Sequence, residues 1–190
     1  AVLTNPGTAQ SITHAIDQLA PLDAQVAQVG FGGRHMAVRT HSSQVYTLGD
    51  NSYGQLGHGD TARSDAPRLL VQLQHVPVSQ VACGQYHSLA LAASGAAVYA
   101  WGRGAHGRLG LGRTLNKKTP QCVEEWPSCF SGMHVIGAAL GGAHSLVLAE
   151  KAIPASGANP WGRQRHVYAW GYGGNGQIGD ETMLDRALPT

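Results

Sequence analysis

The chain has 190 residues, a net charge of +2 and only 13% charged residues, so its charge alone does not indicate a partner. Low charge combined with 26 glycines favours short strands and tight turns over long helices or disorder. No apolar stretch reaches the eighteen or so residues of a membrane span, and we expect no membrane insertion. The three cysteines lack a disulfide-framework spacing, which favours an intracellular compartment, whether cytoplasmic, nuclear or organellar.

The N-terminal stretch, residues 1–25, carries a weak helical pattern. Ile12, Ile16 and Leu19 follow an i, i+4, i+7 spacing. This spacing is compatible with a short helix or with the degenerate end of a preceding repeat unit, and we favour the second interpretation.

From residue 26 onwards, three sequence elements recur three times. The first places a glycine three residues before a histidine, as in VACGQYHSLAL at 81–91. The second is a tyrosine followed by regularly spaced glycines, as in YAWGRGAHGRLGLG at 99–112. The third is a proline that opens a short apolar run, as at 120–123. The recurring glycine and histidine positions are Gly32, His35, Gly49, Gly54, Gly57, Gly84, His87, Gly102, Gly107, Gly110, Gly141, His144, Gly171, Gly176 and Gly179.

Each repeat unit has the pattern of antiparallel strands. Residues 88–92 alternate, a Ser-Gly turn follows at 94–95, and residues 98–101 return, which predicts a β-hairpin. A unit of about fifty residues with several short strands and glycine turns is typical of a β-propeller blade.

The combined pattern resembles the repeat of the regulator of chromosome condensation family. The order G-x-x-H-S-L-x-L, V-Y-x-W-G, G-x-L-G and P-x-x-V carries the resemblance, which covers about residues 26–190. It implies an all-β fold, a seven-bladed β-propeller of four-stranded antiparallel blades, of which about three are present. We place the repeats at about 26–80, 81–135 and 136–190, with an insertion at 150–166. Propellers close with four to eight blades, so we expect this chain to be part of a longer protein.

The glycines and histidines invite chemical interpretations that the repetition argues against. Gly102, Gly104 and Gly107 spell the G-x-G-x-x-G of a dinucleotide site, but a single cofactor site has no reason to recur in every unit. The recurring histidines are expected to hydrogen-bond backbone groups of the tight glycine turns. We therefore expect no catalytic residue, no cofactor and no metal site.

Two segments are candidates for contacts with a partner. Between residues 66 and 123 there is no acidic residue, while basic residues cluster in one glycine-rich stretch. The insertion adds a tryptophan and two arginines, residue types that are enriched at binding hot spots. The candidate contacts are Arg103, Arg108, Arg113, Lys117, Lys118, Trp161, Arg163 and Arg165.

These features predict a non-catalytic protein-protein interaction module or scaffold that displays loops within a larger assembly. The resemblance implies one alternative, guanine-nucleotide exchange on a small GTPase by propeller loops and a protruding wedge, although no wedge-like hairpin can be identified in the three units. A weaker alternative is chromatin or nucleic-acid binding through the basic loop residues.

Overall fold

The computed structural model of the protein describes residues 26–124, 132–155 and 162–190. Its regular structure consists of β-strands and of two single turns of 3-10 helix, at Val71–Leu73 and Ala105–Gly107. No helix in these ranges is long and apolar enough to cross a membrane. The prediction of an all-β fold is confirmed, whereas the interpretation of residues 1–25 lies outside the described residues.

The strands form three antiparallel sheets that follow one another along the chain. In each sheet, strands that are consecutive in sequence are also neighbours in space. The first sheet contains β1 (Val26–Phe31), β2 (His35–Thr40), β3 (Val45–Gly49) and β4 (Ser64–Leu69). The second contains β5 (Val78–Cys83), β6 (His87–Ala92), β7 (Val98–Gly102) and β8 (Lys117–Cys122). The third contains β9 (His134–Leu140), β10 (His144–Ala152) and β11 (Arg163–Gly171).

The end of the chain takes the position of a fourth strand in the third sheet. Gly171 and Arg186 form an isolated antiparallel bridge, and Ala169 and Thr190 exchange two backbone hydrogen bonds of 3.1 Å. The third recurring proline, Pro189, lies within this paired segment. The three proline-containing elements therefore all pair with the third strand of their own sheet.

The apolar core lies between the sheets. One buried cluster around Trp101 joins the first sheet to the second, and another around Trp170 joins the second to the third. Strand β6 is buried along its whole length because Leu89 and Leu91 belong to the second cluster while Ala90 belongs to the first. The indoles of Trp101 and Trp170 are both fully buried.

Glutamine side chains add a polar link between the first strands of neighbouring sheets. The Gln28 amide donates to the Val81 carbonyl at 3.1 Å and accepts from the Val81 amide at 2.9 Å. Gln80 repeats this pair of bonds with the backbone of Ala138, at 2.8 and 3.0 Å. A side chain that satisfies both groups of a peptide unit fixes the relative position of the two strands.

The antiparallel topology sorts the loops onto two opposite ends of the sheets. The histidine face carries the turns before β2, β6 and β10 and the segments that follow β3, β7 and β11. The hairpin face carries the turns after β2, β6 and β10 and the connections between sheets. Residues 103–116 therefore lie on the histidine face, and the described residues of the insertion, 150–155 and 162–166, lie towards the opposite one.

The insertion is an extension of the hairpin between β10 and β11. These strands have nine residues each, against five or six in their counterparts, and they pair from His144–Gly171 to Ala152–Arg163. Strand β9 ends its pairing at Glu150, so the last residues of the hairpin pair only with each other. The third unit therefore contains an extended hairpin that the sequence did not indicate. Residues 156–161, including Trp161, lie outside the described residues.

Two glycines of the loop after β3 allow a matched test of how closely the sheets pack. Gly57 and Gly59 both have positive φ, +84° and +90°. A methyl group on Gly57 would lie 2.9 Å from Leu70 Cδ1 and from Trp101 Nε1, whereas on Gly59 its nearest neighbour is 3.8 Å away.

We expect Gly59→Ala to lower the free energy of unfolding by about 1 kcal/mol, the conformational cost shared by both positions. Gly57→Ala should lower it by a further 1–3 kcal/mol, roughly, because overpacking displaces the indole. Urea denaturation of the two variants measures the difference, and equal losses would contradict the packing described here.

Candidate functional site

A buried hydrogen-bonded chain joins the first sheet to the second. The imidazole Nε2 of His35 lies 2.9 Å from the Ser88 hydroxyl oxygen. The Ser88 hydroxyl donates to the Gln55 carbonyl at 2.8 Å, and the Trp101 indole N–H donates to the same carbonyl at 2.9 Å. One carbonyl of the first unit thus accepts two donors from the second, and a histidine of the first unit bonds back to the second.

The joint between the second and third sheets repeats this arrangement. His87 Nε2 lies 3.0 Å from the Ser145 hydroxyl oxygen, and that hydroxyl donates to the Arg108 carbonyl at 2.8 Å. The Trp170 indole donates to the Arg108 carbonyl at 2.9 Å. Two joints with the same four partners show that these residues belong to the repeat and not to a singular site.

The bonding at the joints fixes the proton on each imidazole. A serine hydroxyl has one proton, and here that proton is directed to a carbonyl, so the oxygen accepts from the imidazole Nε2–H. The Nδ1 atoms of His35 and His87 are buried and have no hydrogen-bond partner among the described residues. The expected backbone contact involves the backbone of His87 for the His35 ring and the backbone of His144 for the His87 ring, and each ring also bonds to the serine of the following unit.

The spacing of glycine and histidine has a steric cause. The His35 ring folds back over Gly32, so that a Cβ on this glycine would overlap the Nδ1–Cε1 edge of the imidazole. The same holds for Gly84 and His87. A glycine three residues before the histidine is therefore needed for the ring to occupy the joint.

Burial keeps the joint histidines neutral. Desolvation lowers the pKa of His35 to about 4 and the pKa of His87 to about 3. Burial also lowers the pKa of His144, which is only half-buried. A neutral imidazole whose proton is committed to a structural serine does not match a general base or nucleophile partner in a hydrolytic triad.

The first and third units depart from this pattern at one position each. Met36 follows His35 where serine follows the other two histidines, at Ser88 and Ser145. In the third unit, no described atom lies within 4 Å of a Cβ built on Gly179, whereas a Cβ built on the equivalent Gly110 would lie 2.8 Å from Trp170 Nε1.

The structure separates the predicted basic contacts into different environments. Arg113 and Lys118 are exposed and Lys117 is half-buried, and none of the three forms an ion pair among the described residues. Arg108 differs, because it is only 3% exposed and occupies the repeat position of Gln55. The prediction that Arg108 is a surface contact is therefore corrected. Its buried guanidinium donates to the carbonyls of Ala105 and Gly142, at 2.9 and 3.1 Å.

Arg103 lies against two tyrosines that the sequence analysis did not single out. Its guanidinium carbon is 4.7 Å from the ring centroid of Tyr53 and 5.6 Å from that of Tyr86. Tyr53 directly precedes the repeat glycine Gly54 in the first unit, and Tyr86 directly precedes His87 in the second. Their proximity to these repeat positions is the sequence signal that both tyrosines lie near the joint between the first two sheets.

The arginines of the hairpin share one acidic partner. Arg163 and Arg165 both form ion pairs with Glu150, the second at 3.3 Å, and both guanidinium groups remain largely exposed. Their positive charge is therefore partly neutralised, unlike that of the loop after β7.

Comparison with known proteins identifies the repeat. The pattern described as "Regulator of chromosome condensation (RCC1) repeat" matches residues 42–91 and 96–148, and a second pattern of the same description matches 78–108. The chain belongs to the RCC1 repeat family. The matched ranges include the joint residues Ser88, Trp101 and Ser145 and the whole second sheet.

Relatives of this RCC1-type chain are considerably longer. It is 32% identical to the ultraviolet-B receptor UVR8 of Arabidopsis thaliana, over 87% of this chain and 33% of that protein. It is 41% identical to the human probable E3 ubiquitin-protein ligase HERC3, over 57% of this chain and 10% of that protein. The chain thus spans a third or less of the length of these relatives.

A solved structure shows the same fold. The RCC1-type chain superimposes on Prp20p of Saccharomyces cerevisiae with a TM-score of 0.67, over 87% of this chain and 38% of that one, at 22% sequence identity. The three antiparallel sheets therefore form part of an RCC1-type β-propeller.

The neutral joint histidines predict a loss of stability in mild acid. Below about pH 6.5 the unfolded chain binds protons at His35 and His87, while the folded protein does not until about pH 4 and 3. Stability should be constant above about pH 7 and fall by up to about 1.4 kcal/mol per pH unit for each histidine as the pH drops towards 5.

Urea denaturation between pH 7.5 and 5 measures this slope. We expect His87→Gln to remove roughly a third of it, since burial lowers the pKa of three histidines to this extent, His35, His58 and His87, and one of the three titrations disappears. His41→Gln, at an exposed turn, is the matched control and should leave the slope unchanged. An unaltered slope in His87→Gln would show that the joint histidines are not its source.

Proposed function

We propose that the protein is a non-catalytic protein-binding module of the RCC1 type. The joints hold the sheets in fixed relative positions, so loops on the histidine face and the hairpin face are displayed with little conformational freedom. A preformed surface binds a macromolecular partner without the entropic cost of ordering loops on association.

The observation that carries this proposal is the uncompensated charge of the loop after β7 and of the first two residues of β8. Arg103, Arg113, Lys117 and Lys118 form no ion pair among the described residues, although Arg63, Arg68 and Arg186 each pair with a nearby aspartate. The segment that carries them contains no acidic residue. Unpaired cations held on a rigid surface provide electrostatic complementarity for a partner.

The solved relative gives independent support for protein binding. Prp20p has been crystallised in complex with Kap60, and its binding properties towards Gsp1p and histones have been described. The ligase activity of the HERC relatives is not part of the proposal, because this chain covers only a small fraction of those proteins.

A second candidate function is guanine-nucleotide exchange on a small GTPase, which the extended hairpin favours. The hairpin continues beyond the edge of β9 and presents Arg163 and Arg165 near its end. A projecting hairpin of this kind is the element that the resemblance implies for displacing nucleotide.

Partner binding is tested by quantitative recovery of associated proteins with two face variants. One combines Arg113→Glu with Lys118→Glu, and the other combines Trp161→Ala with Arg163→Ala. We expect at least one associated protein to fall about tenfold in one variant, since charge reversal at a contact converts attraction into repulsion. Arg63→Glu, at an exposed ion pair, is the control. Recovery of the same proteins in the same amounts from all variants would contradict the proposal.

Exchange activity is tested by release of fluorescent nucleotide from a panel of small GTPases. If the second candidate is correct, the wild-type protein accelerates release from one of them, and Trp161→Ala with Arg163→Ala reduces that acceleration about tenfold by removing hairpin contacts. No acceleration with any GTPase would exclude this function and leave the binding proposal intact.

A further inference from the structure

The histidine face carries a cation-aromatic cluster at the joint between the first two sheets. Tyr53 comes from the loop after β3, while Tyr86 and Arg103 come from the second unit. The tyrosine rings meet edge to face with centroids 5.2 Å apart and planes at 65°, and the Arg103 guanidinium lies over both. This cluster fixes the orientation of an arginine that reaches solvent.

A second guanidinium lies behind the cluster. Arg108 donates to the carbonyls of Ala105 and Gly142, which are neutral acceptors. Burial and the nearby charge of Arg103 both lower the pKa of Arg108. The two arginines therefore place like charges close together without an anion between them.

Two carboxylates on this face, those of Asp50 and Asp185, are committed to other groups. Asp50 accepts from the Ser52 hydroxyl at 2.6 Å and from the Gln55 amide at 2.7 Å. Asp185 pairs with His106 at 2.8 Å and accepts from a backbone amide at 2.9 Å. Neither forms an ion pair with Arg103 or Arg108 among the described residues, although the Asp185 charge acts on Arg108 from a distance.

We propose that Tyr53, Tyr86 and Arg103, supported by Arg108, form a binding site for a side-chain carboxylate of an acidic protein segment. The inference rests on the proposed function and names the chemistry of the partner. A guanidinium stacked on an aromatic ring keeps its N–H donors at the edge, where they match the two oxygens of a carboxylate. An incoming anion also relieves the repulsion between the two arginines.

The size of the site favours a protein over a nucleic acid. Tyrosine and arginine are the residue types most enriched at the centres of protein interfaces. Nucleic-acid backbones are bound through a row of phosphate contacts, whereas one stacked guanidinium presents a single bidentate donor. Phosphate-bearing strands are therefore an outcome to be excluded by the test.

The site is tested by fluorescence anisotropy with a labelled peptide of alternating glutamate and serine. We expect binding that Arg103→Gln weakens about tenfold and that Tyr53→Leu, which leaves the charge unchanged, weakens about threefold. The matched control is Arg63→Gln, an equal loss of charge on the same face at an exposed residue that is not a candidate contact, and it should change the affinity by less than twofold.

Three results would overturn the site: equal weakening by Arg103→Gln and Arg63→Gln, equal binding of a glutamine-serine peptide, or tighter binding of an oligothymidine of the same length. Failure of the broader function is distinguishable. If the face variants lose associated proteins but the acidic peptide does not bind, the carboxylate site is wrong and the binding module stands. If the peptide binds as expected and no associated protein is lost, the carboxylate site stands and the proposed binding module is wrong.

Discussion

The structure depends on one buried interaction, the hydrogen bond from a histidine of one sheet to a serine of the next. The serine passes its own proton to a carbonyl in the loop of the first sheet, and an indole of the second sheet shares that carbonyl. Each hydrogen bond in this buried network joins a group of one sheet to a group of the other. A buried polar group without a partner costs free energy, so the two sheets can separate only if every group of this hydrogen-bonded network becomes exposed to water.

Repetition made most of the fold accessible from the sequence. Alternating apolar residues and glycine turns predicted a hairpin, which corresponds to the second and third strands of each sheet. The four strands of a complete unit were implied by the resemblance to the family and not by the periodicity. The extension of β10 and β11 did not follow, since the polar residues around Glu150 lack the apolar alternation that marks a strand.

The candidate site was less accessible, for reasons of geometry. Arg108 reads as a surface cation by residue type, yet it takes the place of a buried glutamine and is satisfied by carbonyls from two units. The importance of Tyr53 and Tyr86 depends on a contact between positions in different repeats, which periodicity within one repeat does not display. Serine directly follows His87 and His144 in the sequence, but each of these serines bonds to the histidine of the preceding unit and not to its neighbour in the chain.

Met36 distinguishes the first unit from the other two, which have serine at the equivalent position. A thioether is a weak acceptor, so a histidine meeting the front of the first sheet would find a poor partner where Ser88 and Ser145 offer a good one. The three units are consequently not interchangeable parts. Exchanging the first unit with the second would place Met36 opposite His87, at a joint between two of the described sheets, and leave that imidazole proton without a good acceptor.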